Sequence, residues 1–186
     1  MTSPGQWTWA GGSDRIAEVE RVGVYGTKGV AAPGNVPGAR SGAATWVDAS
    51  GSFWVFGGRG YARHALLGTL NDLWKWDGST WTWVSGWDSY GRRGTYGEKG
   101  VAAPANEPGA RYGAVSWIDA SGSLWLFGGY GRDATSSYED RLSDLWKWDG
   151  ASWTWMGGPK VQRQPGVYGT LGVATPPNCP GGRSAA

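Results

Sequence analysis

The sequence predicts an all-β chain assembled from repeated four-stranded antiparallel units, and three observations carry that prediction. Of 186 residues, 34 are Gly and 10 are Pro, and one or the other interrupts nearly every stretch of ten. Helical bundles, coiled coils and transmembrane spans of about 20 apolar residues are thereby excluded. Leu, Ile, Val and Phe together supply only 27 residues, whereas Trp supplies 15. With a net charge of just +2, the chain builds its core from Trp, which buries roughly 150–250 Å² per side chain, and does not fall into the disordered class. The third observation is that the chain repeats itself.

Residues 37–58 match residues 108–129 at 16 of 22 positions, and DLWKWDGSTWTW at 72–83 matches DLWKWDGASWTW at 144–155 at 10 of 12. A third segment occurs three times, at 23–40, 94–111 and 166–183, and its first two copies agree at 14 of 18 positions. A period of about 72 residues follows, and such self-similarity marks a repeat architecture. The chain divides into an orphan outer strand at 1–12, a linker at 13–36, a unit at 37–86, a linker at 87–107, a second unit at 108–158, and a linker with the start of a truncated third unit at 159–186.

Each unit reads as four strands, a to d, bounded by Gly, Asp and Ser turn chemistry. In the first unit they fall near Ser41 to Asp48, Ser52 to Gly57, Asp72 to Asp77, and Thr80 to Ser85. DASG at 48–51 and Asp77-Gly78-Ser79 are hairpin turns in which Asp caps backbone amides and Gly supplies positive φ. Strand b, Phe53-Trp54-Val55-Phe56, is apolar at every position, which predicts burial on both faces. Strands c and d alternate, so Trp74 and Trp76 share one face, as do Trp81 and Trp83. The WKW and WTW pairs are expected to pack between units, with Trp74, Trp76, Trp146 and Trp148 buried. The repeated linkers are expected to be ordered, docking Tyr25 and Val30, or Tyr96 and Val101, on an adjacent unit.

Four-stranded meanders, the Arg opening strand a (Arg40, Arg111), the double glycine closing strand b (Gly57-Gly58, Gly128-Gly129) and the strand-d tryptophans (Trp81 or Trp83, Trp153 or Trp155) resemble the kelch repeat. That resemblance, to bacterial kelch-like repeats and to the central domain of the galactose-oxidase type, implies that each unit is one blade of a β-propeller. It covers 37–86 and 108–158 as whole blades, with long ordered linkers between them. A kelch repeat spans about 50 residues, and the surplus here lies in the linkers. A propeller closes with roughly four to eight blades. Two blades and pieces therefore predict either a segment of a longer repeat protein or head-to-tail self-association into a ring or a filament.

The 17 basic and 15 acidic residues are interspersed without runs, which argues against nucleic acid and against membrane insertion. A copper radical oxidase of the resembled type needs a Tyr–Cys crosslink and two His ligands, whereas this chain offers His64 and Cys179 in different repeats. His64 reads as an exposed loop residue and Cys179 as an exposed linker thiol. Asp48 and Asp119 read as turn caps rather than calcium ligands, since calcium takes six to eight oxygens. Arg40, Arg111 and Arg183 read as structural, each paired with a neighbour's backbone or acid. No catalytic residue, metal or cofactor is expected.

The expectation is a non-enzymatic structural and binding module at a bacterial cell surface or outside the cell. The alternative is a lectin-like binder of carbohydrate or protein. Tyr61 and Tyr138 in the b–c connections at 59–71 and 130–143, with Trp87 and Tyr90 in the linker, are its candidate ligand residues, because sugar rings stack on aromatic faces. Trp7, Trp9, Tyr168, Val173 and Arg183 are the candidate subunit contacts.

Overall fold

The computed structural model describes residues 21–185, and among them there is no helix. The first antiparallel sheet holds β1 (Arg40–Ser41), β2 (Ala44–Val47), β3 (Phe53–Tyr61), β4 (Leu67–Trp76) and β5 (Trp81–Ser85). The second holds β6 (Arg111–Tyr112), β7 (Val115–Ile118), β8 (Leu124–Gly131), β9 (Asp140–Trp148) and β10 (Trp153–Gly157). β1 and β2 both pair with β3, which pairs with β4, which pairs with β5, and the second sheet repeats this order. The expected orphan strand at 1–12 lies outside the described residues.

Three local expectations are corrected. Strand a is broken: Gly42 adopts φ +64° between β1 and β2, and its carbonyl turns to accept the Gly113 amide of the other sheet at 2.8 Å. Strands b and c do not stop at the double glycine. The register jumps from Phe56↔Leu73 to Gly58↔Leu70, and pairing then continues to Tyr61↔Leu67. Gly57 (φ +64°) and Gly58 (φ +95°) form a bulge in which a Cβ on Gly57 would stand 2.6 Å from the Arg111 carbonyl oxygen. The glycines let the strand pass close to its neighbour instead of ending it. The connections are consequently only 62–66 and 132–139, and most of each expected loop is strand.

The tight turns close as expected, with the Asp48 amide donating to Ser52 O at 3.0 Å and the Asp77 amide to Thr80 O at 3.3 Å. Between the sheets, Trp46, Phe56 and Leu73 pack in one cluster with Leu126, Trp146, Trp148 and Trp153. The Phe56 and Trp153 rings meet edge-on at 5.3 Å. Each such side chain contributes on the order of 1.5–3 kcal/mol by leaving water. Trp74, Trp146 and Trp148 are buried, but Trp76 is only half-buried. Trp148 is sealed by the first sheet, whereas Trp76 lies on the side of the first sheet away from the second.

The described linker residues are ordered, yet the valines do not dock. Val30 is 52% exposed and Val101 46%. What these residues offer is their carbonyl: Asn35 Nδ2 donates to Val30 O at 2.9 Å and to Trp81 O at 3.0 Å, and Asn106 does the same with Val101 and Trp153. Tyr25 and Tyr96 are the side chains that dock, both buried.

Candidate functional site

Each sheet is fastened to the linker before it by a buried polar quartet. Arg40 donates to both oxygens of Asp72, at 2.7 and 2.8 Å, and to Gly57 O at 2.9 Å. Tyr25 Oη donates to Asp72 Oδ2 at 2.6 Å, and Trp74 Nε1, two residues along the strand, donates to the same oxygen at 2.7 Å. The second copy uses Arg111, Asp144, Tyr96 and Trp146 at 2.6–2.8 Å. Four donors converge on each carboxylate, three on Oδ2 and one on Oδ1, so its charge is spent inside the protein. Burial alone would raise the Asp144 pKa, but Arg111, Tyr96 and Trp146 outweigh it and hold the carboxyl below its ordinary value. Burial, reinforced by the Asp144 charge, pushes the Tyr96 hydroxyl far up, so it stays a donor.

The third linker copy has the same internal form without the acid. Val167 bridges Cys179 as Val24 bridges Val36 and Thr95 bridges Glu107. Asn178 Nδ2 donates to Val173 O at 3.0 Å, and Arg183 Nε to Gly181 O at 3.1 Å, matching Arg40 to Gly38 and Arg111 to Gly109. Tyr168 is nonetheless 71% exposed, Val173 and Arg183 are exposed, and no described carboxylate faces Arg183 or the Tyr168 hydroxyl.

Among the described residues, two apolar faces are open, one at each end of the pair of sheets. On the first sheet Phe53, Trp76 and Trp81 are half-buried, with ring contacts of 6.3 Å and 5.5 Å centred on Trp81. On the second, Trp117 stacks on Trp125 at 5.6 Å and is 42% exposed, and Phe127, Leu145, Met156 and Cys179 line a cavity of about 440 Å³. By the repeat, Trp81 corresponds to Trp153, and Trp117, Phe127 and Leu145 to Trp46, Phe56 and Leu73. Those four counterparts are the residues that pack together between the two sheets.

The aromatic ligand candidates do not converge. Tyr61 ends β3, and Tyr90 covers Gly68, where a Cβ would meet its ring at 2.6 Å. Trp87 donates from Nε1 to Glu107 at 2.7 Å and carries the Arg92 guanidinium 3.9 Å above its ring. Tyr138 is 78% exposed in the other sheet's connection, and no ring contact joins these four among the described residues. Trp7 and Trp9 lie outside the described residues.

His64 is exposed as expected, whereas Cys179 is half-buried against Ser143 O because its linker folds back on the second sheet. Asp48 and Asp119 cap their turns, each accepting from two Ser amides and an indole N–H. The sequence places Asp72 and Asp144 only at the start of strand c; their identity in both copies, beside an equally repeated Arg and Tyr, is the signal it carries. No protein-family model and no curated protein matches the chain.

Proposed function

We propose that the chain is a non-catalytic structural and binding module whose two sheets act as kelch-like propeller blades and whose copies associate head to tail. One observation carries this reading: the open face of each sheet is the repeat counterpart of a face already covered at the contact between the sheets. Docking the Trp81 face of one copy on the Phe127 face of another repeats that contact. Such an interface is heterologous and generates a ring if the rotation closes and a filament if it does not. Three copies would bring six blades and four would bring eight, within the range of roughly four to eight that propellers use. A cell-surface or extracellular setting belongs to the same reading.

Sedimentation equilibrium at micromolar concentration tests it. Multiples of 19.8 kDa are expected, and a compact monomer throughout would overturn it. The lectin-like alternative draws support from the exposure of Tyr138, Trp87 and Tyr90. Its test is quenching or enhancement of Trp fluorescence on titration with a panel of oligosaccharides, and no change would remove it.

A further inference from the structure

The third linker copy sets a condition on any head-to-tail contact. At the contact within the chain, linker residues 94–111 belong to both sides. Their Tyr96, Asn106 and Arg111 fasten to the second sheet, while Pro108 O accepts from Asn71 of the first and Arg111 O lies against Gly57. The third copy repeats the contact with the sheet before it: the Gly129 amide donates to Arg183 O at 2.9 Å and the Arg183 amide to Leu142 O at 3.0 Å. Repeating the whole arrangement between molecules therefore lays residues 166–183 of one copy across the first sheet of the next. That place is already filled by residues 23–40, whose Tyr25 and Arg40 hold Asp72.

We propose that the two segments exchange: on association, residues 166–183 of one copy replace residues 23–40 of the next, with Tyr168 and Arg183 taking over Asp72 from Tyr25 and Arg40. This rests on the head-to-tail reading and names the partner as a second copy of this chain. The exchange swaps like for like, since Tyr, Asn and Arg recur at the same spacing and the bridge and Asn hydrogen bond are preformed. One difference favours the incoming segment. Lys28 sits 4.5 Å over the Trp83 ring and donates to Gly86 O at 2.7 Å, a bond the exchange gives up, and its counterpart is Leu171, which is fully exposed. Exchange moves Leu171 from water onto Trp83, burying apolar surface and returning the Lys28 ammonium to solvent.

The test compares Tyr25→Phe and Tyr168→Phe in the full chain, reading the association midpoint by sedimentation and the fold by circular dichroism. Tyr25→Phe loosens the resident segment and is expected to lower the midpoint concentration by about tenfold or more, whereas Tyr168→Phe raises it by a similar factor. The double variant returns near the starting value. Met156→Asp, on the open face of the second sheet, weakens association by the face alone. If Met156→Asp abolishes association and neither Tyr variant shifts it, head-to-tail docking stands and the exchange is wrong. If the unaltered chain never associates, the head-to-tail reading itself has failed. Should Tyr25→Phe unfold the first sheet, Leu171→Lys replaces it as the probe: weakened association supports the exchange and an unchanged midpoint overturns it.

Discussion

The Tyr96 hydroxyl reaches Asp144 across 48 residues of chain at 2.6 Å, and Tyr25 reaches Asp72 across 47 at the same distance. The bond converts a Gly- and Pro-rich linker into a fixed part of the sheet that follows it. Tyr96→Phe keeps the ring against Trp146 but strips one donor from a buried carboxylate. Hydrogen bonds to charged groups contribute about 1.5–3 kcal/mol, and a loss in that range is expected in urea unfolding.

Removing the cation should cost more. Arg111 and Asp144 are both buried, so Arg111→Ala leaves a carboxylate without its counter-charge, and a loss of about 3–5 kcal/mol is expected. Arg111→Lys should restore only part of it, because one ammonium cannot span both carboxylate oxygens and Gly128 O as the guanidinium does. Chemical denaturation of the two variants side by side provides the check.

Trp146 and Trp76 separate sealed from open surface. Trp146→Ala empties a closed site and should cost about 3–5 kcal/mol. Trp76→Ala trims a half-buried ring on the open face and should cost nearer 1 kcal/mol in the isolated chain. Equal losses would mean that the first sheet's open face is covered.

Acid should loosen the DASG turn. Burial pushes the Asp48 carboxyl up, but hydrogen bonds from the Ser50 hydroxyl, the Trp54 indole and the Ser52 and Ser50 amides outweigh it and bring its pKa to about 2, from 3.8. The folded pKa lies below the unfolded one, so the stabilisation is complete above pH 3.8 and is lost as pH falls toward 2. Asp48→Asn should flatten that part of the stability profile, measured as the urea midpoint between pH 5 and pH 2, in the range of pH set by this pKa shift.

Strand order and both tight turns were legible because each rests on local chemistry: a run of apolar residues, an Asp, a Gly. What was not legible depended on distant chain. Gly57-Gly58 announces an interruption, but whether a strand ends there or bulges is decided by Leu70 and Arg111, far along the chain. Val30 and Val101 recur, yet what the structure uses of them is a carbonyl that an Asn reaches, and repetition cannot distinguish a backbone role from a side-chain one. Asp72 and Asp144 look like surface residues by type, since buried acids are rare unless paired, and the pairing Arg lies 32 or 33 residues away.

The Gly113 amide donates to Gly42 O, and the Ala185 amide in turn donates to Gly113 O, both at 2.8 Å. These links are main chain to main chain and run along the same edge of successive repeats. They give neighbouring repeats a main-chain seam beside the side-chain links of the packing faces, among them the Trp46 indole, which donates to Trp117 O and Trp125 O. Exchanging a tryptophan on those faces should therefore loosen the contact between repeats while the main-chain seam remains. Proline at 113 would remove a seam donor and also break the backbone there, because Gly113 holds φ +62° and proline fixes φ at about −65°.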